Sequence, residues 1–87
     1  MGRMAQRRIV ITVPSGLHAR PAAELARLAH AQPGGVRLHA AAAAVDAASV
    51  LAVMDLGLEP GDEVVLEADG RGADATLDAA VALLAPR

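Results

Sequence analysis

Val36-Arg37-Leu38-His39-Ala40 is the stretch that decides the fold. Apolar and polar side chains alternate with the period of a strand, putting Val36 and Leu38 on one face and Arg37 and His39 on the other. A strand with one wet face marks an antiparallel sheet covered on one side only. Glu63-Val64-Val65-Leu66-Glu67-Ala68 repeats the pattern, with Val64, Leu66 and Ala68 inward and Glu63 and Glu67 outward. Residues 8–13, Arg-Ile-Val-Ile-Thr-Val, are rich in β-branched side chains and give a third strand, with Ile9, Ile11 and Val13 sharing a face. Pro14-Ser15-Gly16 ends it. A fourth strand is expected around Val45. It is reached through Ala40–Ala44, where five alanines favour helix by propensity and no Asn-Gly-type turn signal appears. Context between Leu38 and Val45 predicts a hairpin there.

Three helices fill the intervals. The first is predicted from Ala19 to Ala31, with Pro21 in its first turn and Ala22, Leu25, Leu28 and Ala29 on one face. The second is short, about two turns, with Ser49 as its N-cap and Gly57 closing it in a left-handed conformation. Glu59-Pro60-Gly61-Asp62 then forms a turn and Asp69-Gly70-Arg71-Gly72 a loop. The third helix is predicted from Ala73 to Leu84, with Leu77, Ala80, Val81 and Leu84 as its apolar stripe. The order is β-α-β-β-α-β-α. One-sided strands and one-sided helices fit together as an open-faced sandwich of the α/β (α+β) class. In it a four-stranded antiparallel sheet carries three helices on one face. Residues 1–87 form a single domain on this reading, with no internal repeat or linker.

Composition narrows the function. The chain has no cysteine, so disulfides and thiolate metal sites are excluded. It has no aromatic residue, and stacking on nucleic-acid bases is therefore unavailable. Met1 to Arg8 is too short and polar for a signal peptide, and no apolar run reaches the roughly 18 residues of a membrane span, so a cytoplasmic protein is expected. Six arginines and one acid, Glu24, fall within residues 1–37, whereas residues 38–87 hold nine acids and two arginines. The basic part suits an anionic ligand or an acidic partner. His30 and His39 have no carboxylate or histidine at metal-ligand spacing, and no metal or other cofactor is expected. Gly70-Arg71-Gly72 is too short for a dinucleotide fingerprint.

The chemistry concentrates at His18. It stands just ahead of the first helix, where backbone N–H groups point outward unpaired and the helix dipole is positive. Such an end suits a phosphate group, and Arg20 adds a permanently charged fork that fits phosphate oxygens. An imidazole nitrogen held there is what a phosphoryl acceptor requires. Ser15 has a second reading as ordinary turn chemistry, and Ser49 as a plain N-cap. Val50, Leu51 and Met54 read equally as core or as an exposed apolar patch for partners, and Leu17, beside the histidine, shares that ambiguity.

Gly16-Leu17-His18-Ala19-Arg20-Pro21-Ala22 resembles the active-site signature of the histidine-containing phosphocarrier (HPr) family of the bacterial phosphoenolpyruvate-dependent sugar phosphotransferase system. Ala48 to Gly57 is similar to that family's second characteristic segment, and Glu59 to Val64 to the turn and strand that follow. The resemblance covers Arg7 to Leu84. It implies that His18 takes a phosphoryl group from enzyme I through Nδ1 and hands it to IIA components of sugar permeases. Arg20 would stabilise the phosphohistidine, with Ser15 and the amides of Ala19 and Arg20 as donors. Leu51 and Val50 would dock partners, and Ser49 corresponds to a residue phosphorylated by a kinase in some relatives. Here Ala48 stands where those relatives carry a basic residue. The resemblance further implies a monomeric carrier that binds no nucleic acid and inserts in no membrane, with little stand-alone enzymatic activity. A paralogue serving a nitrogen-regulatory or dihydroxyacetone-kinase relay, or a non-transferring regulatory module of the same fold, are the rival readings. The acceptor His18 argues against the last.

Overall fold

A computed structural model describes residues 4–14, 16–41 and 43–86. Seven elements follow in the expected order: β1 (Met4–Val10), α1 (Ala19–Ala31), β2 (Val36–His39), β3 (Ala44–Asp46), α2 (Val50–Asp55), β4 (Glu63–Asp69) and α3 (Ala73–Leu84). The strands form one antiparallel sheet in the order β1-β4-β2-β3. The longest internal strand, β4, lies between β1 and β2. Register sets Leu66 opposite Leu38 and Ala68 opposite Val36. These four side chains are at most 1% exposed and form the floor of the core. Burying each leucine contributes about 1.5–3 kcal/mol. The three helices cover this face, supplying Ala22, Leu25, Val53, Leu77 and Leu84 to the same cluster. Among the described residues no helix is long and apolar enough to cross a membrane.

The first strand departs from the pattern read in the sequence. It begins at Met4 and ends at Val10 instead of spanning 8–13. Met4 to Arg7 carry no β-branched residue, and they are strand because each pairs with a residue of β4, from Met4 with Asp69 to Arg7 with Leu66. Beyond Val10 the backbone leaves the ladder. The Ile11 N–H donates to the Asp62 carbonyl at 2.9 Å, and those of Thr12 and Val13 both donate to the Leu84 carbonyl at 3.0 and 3.1 Å. One orphan carbonyl at the end of α3 thus satisfies two amides of an extended segment. Ile11 is still fully buried, so the apolar alternation marked the core even where it did not mark strand.

On either side of the alanine tract, β2 and β3 pair as a hairpin; Ala42 lies outside the described residues. The Ala40 N–H donates to the Ala43 carbonyl at 2.9 Å, and His39 pairs with Ala44. Tertiary pairing outweighs the small helical preference of alanine. At the end of α1, Gln32 is 4% exposed. Its Nε2 donates to the carbonyls of Asp69 and Arg71 at 2.8 and 2.9 Å, and its Oε1 accepts from Thr76 Oγ1 at 2.6 Å. This amide joins α1 to the β4–α3 loop. At the sheet edge, Arg7 lies on the covered face and reaches Asp74 and Asp78 of α3 at 3.2 and 3.3 Å. The side-chain hydrogen bond to Asp74, ahead of that to Asp78, holds its guanidinium pKa above the ordinary value.

The uncovered face carries the row Gln6, Glu67, Arg37, Asp46, aligned across all four strands. Glu67 accepts from Gln6 Nε2 at 3.1 Å and lies 3.3 Å from His39 Nε2. His39 thus faces a carboxylate across the strand pair and is only partly exposed. The Gln6 hydrogen bond, followed by the His39 one, pulls the Glu67 carboxyl below the usual carboxylate range. A depressed folded-state pKa contributes stability that is present above the unfolded value, about 4.3, and is lost as pH falls through the folded value. Glu67→Gln is therefore expected to flatten the fall in thermal midpoint below about pH 4.3. Melting curves at neutral pH and at acid pH, side by side with the wild type, check this; parallel acid losses in the two proteins would contradict it.

Candidate functional site

The site lies where the segment leaving β1 turns into α1. Gly16 takes φ +66°, the left-handed region that glycine adopts without steric cost. A Cβ there would stand 2.5 Å from the Leu58 carbonyl oxygen and 3.1 Å from the Cα of Glu59. The next amide, that of Leu17, donates to the same Leu58 oxygen at 3.1 Å. The loop before α1 is therefore joined to the connection between α2 and β4, backbone against backbone.

His18 follows as the N-cap of α1, with extended φ and ψ of −80° and −171° and no side-chain capping bond. Its carbonyl accepts the first helical bond, from Ala22 N–H at 3.0 Å. The imidazole is exposed and free of structural duty. Ala19 and Arg20 are the first two helical residues, and amides at such positions have no intrahelical acceptor. Pro21, third in the helix, has no N–H to leave unpaired. No acid occupies this first turn, so no side chain of the turn itself offsets the positive helix end. Arg20 is exposed and, among the described residues, in no ion pair. Its guanidinium, on the same turn as the imidazole, remains available to an anion.

The second half of the site is α2. Ser49 caps it, with Oγ accepting from Ala52 N–H at 3.2 Å. Gly57 closes it at φ +63°, its N–H on the Met54 carbonyl at 3.1 Å. Leu51 is 75% exposed and Met54 37%, while Val50 is half-buried against the core and Val53 wholly buried. The apolar run of α2 thus divides, one side inward and the other outward. Leu17 must be taken out of the outward group. It is 3% exposed and belongs to the core cluster with Val53 and Leu58, so it has almost no surface to offer a partner. Sequence proximity to His18 misleads here because the chain bends at Leu17, directly after left-handed Gly16, and the exposure of one residue does not carry to the next. Ser15 lies outside the described residues.

His18 and Met54 line one shallow depression together with Leu17, Gly57, Leu58 and Glu59. The histidine and the exposed part of α2 therefore adjoin. Glu59, which the sequence reading treats as turn, enters this depression although it is far from His18 along the chain; only the pairing of the two loops brings it there. Among the described residues no cluster of histidine and acidic side chains has a metal-binding arrangement.

The comparisons with known proteins agree with this geometry. The family model described as the phosphorylation site of the phosphotransferase-system HPr component matches residues 5–85. The phosphocarrier protein HPr of Streptomyces coelicolor is 43% identical over 83 residues, covering 94% of this chain and 89% of the relative. That of Cupriavidus necator is 39% identical over 84 residues, covering 97% and 94%. The crystal structure of a phosphocarrier protein HPr from Bacillus anthracis superposes with a TM-score of 0.85 at 27% identity, covering 93% of this chain and 96% of that one. Match length, sequence identity and fold converge on one assignment: this chain belongs to the HPr family of phosphocarrier proteins of the phosphotransferase system.

Proposed function

We propose that this protein is a cytoplasmic carrier in sugar uptake that accepts a phosphoryl group from enzyme I on His18 Nδ1 and passes it to IIA components. The observation that carries the reading is an exposed N-cap histidine with no capping bond, beside an unpaired Arg20, within the segment matched to the family's phosphorylation site. When the group is taken up, the Nδ1 lone pair attacks phosphorus, and the bond to the donor breaks with its electron pair returning to the donor. Handing on reverses the roles, and the pair returns to Nδ1. The carrier supplies position and charge. The imidazole is held at the helix start, Arg20 and the amides of Ala19 and Arg20 face the phosphoryl oxygens, and the open surface lets successive partners reach the group. Leu51 and Met54, with the exposed part of Val50, form the landing surface next to it. A phosphate on Ser49 would place negative charge at that surface.

The direct test is incubation with phosphoenolpyruvate and enzyme I, followed by mapping of an acid-labile, base-stable phosphate. Label on His18 is expected; a protein that stays unlabelled beside a competent control carrier would sink the reading. Arg20→Glu is expected to leave the melting temperature within a few degrees, because the side chain is exposed and unpaired. Phosphoryl transfer is expected to fall roughly 10- to 100-fold, since a charge-assisted contact worth about 1.5–3 kcal/mol is replaced by repulsion. Rapid-quench transfer kinetics measure this, and unchanged rates would remove Arg20 from the phosphate's surroundings.

A further inference from the structure

The α2–β4 connection brings an acidic residue, Glu59, to the depression that holds His18. Glu59 and His18 line the same small concavity, with Met54 and Leu58 as apolar neighbours. Its backbone there is fixed. Leu58, the preceding residue, accepts the Leu17 N–H at 3.1 Å. The Glu59 N–H donates to Asp62 Oδ2 at 2.9 Å, and the Asp62 N–H donates to the Glu59 carbonyl at 3.0 Å. Among the described residues the Glu59 carboxylate is in no ion pair, and its residue is exposed. The acceptor histidine therefore has two charged neighbours of opposite sign: Arg20 on its own helix and Glu59 across the loop seam.

We propose that Glu59 tunes how readily the phosphoryl group leaves His18, by repelling it while it is there. The proposal rests on His18 being the acceptor. A phosphoryl group on nitrogen carries close to two negative charges at neutral pH. Repulsion from Glu59 acts only on the phosphorylated state. It disappears once the Nδ1–P bond breaks, its electron pair returns to Nδ1, and the group with its charge is bonded to the next acceptor. His18 and Glu59 are both exposed, so the repulsion acts through solvent and is sensitive to salt. Arg20 makes His18 a place where the group can rest, and Glu59 keeps that rest shallow. Glu59 is a tuning residue and does not itself exchange the group.

The experiment measures the equilibrium distribution of labelled phosphoryl between enzyme I and the carrier for wild type, Glu59→Gln and Glu59→Lys, at low and at high salt. The expected result is a shift toward phosphorylated carrier of about threefold to tenfold for Glu59→Gln at low salt, and more for Glu59→Lys. Both shifts should shrink as salt rises. A purely structural role would neither rank the three side chains by charge nor respond to salt, and the exposed position leaves both variants folded, which melting curves verify. Equal distributions in the three proteins, or the opposite ranking, overturn the proposal and leave His18 standing as acceptor. A wild type that takes no label overturns both.

Discussion

His18→Ala is expected to lose phosphoryl acceptance altogether while melting within about 2 °C of the wild type. The two halves of that result come from one geometric fact. His18 occupies the N-cap of α1 through its backbone, whose carbonyl accepts the Ala22 N–H at 3.0 Å. Its side chain makes no capping bond and is exposed. Removing an ordinary Ser or Asp cap costs typically about 1 kcal/mol because a hydrogen bond goes with it. Here there is none to lose. The function, in contrast, has no substitute: among the described residues no other histidine lines the depression beside α2. Labelling from phosphoenolpyruvate and enzyme I, run beside circular-dichroism melting, tests both halves. Residual label in the variant would move the acceptor elsewhere, and a large drop in melting temperature would mean the imidazole carries structural load.

Gly16→Ala is expected to do the reverse and damage the fold and the site together. The φ of +66° costs an alanine roughly 1–2 kcal/mol. The added Cβ would also meet the Leu58 carbonyl at 2.5 Å, a backbone atom that can yield only if the seam opens. Together the two effects amount to about 3 kcal/mol, or a fall of roughly 10–20 °C in melting temperature for a domain of this size. Because Leu17 N–H loses its acceptor when the seam opens, transfer should weaken as well. Gly16→Asn separates the causes. Asparagine tolerates the left-handed region better than alanine but brings the same Cβ. If it is as damaging as alanine, the clash dominates; if it melts near the wild type, the backbone angle does. An alanine variant with wild-type stability would show that Gly16 is dispensable.

Much of this architecture was legible in the sequence because its signals are short-ranged. Val36 and Leu38, then Val64, Leu66 and Ala68, alternate because one sheet face is dry, and α1 begins and ends at the residues its caps suggest. What was not legible depends on partners distant in the chain. Met4 to Arg7 form strand only by pairing with β4. Gln32 looks like any helix-terminal amide until two carbonyls and a threonine hydroxyl enclose it. At the site, His18 and Arg20 stood out because helix-end chemistry is local. Leu17 misled because its neighbour's exposure says nothing of its own burial. Glu59 could not be associated with His18 without the Leu17–Leu58 hydrogen bond.

That bond also constrains how the protein can change over evolutionary time. The connection from β1 to α1 and the one from α2 to β4 meet through the Leu58 carbonyl, which the Leu17 amide bonds and bare Gly16 abuts. Neither connection can gain or lose a residue alone without shifting the histidine relative to the exposed apolar side of α2. Insertions and deletions in the two loops must therefore be rare or compensated as a pair. Diversity among carriers built on this plan should be written in side chains at fixed loop length.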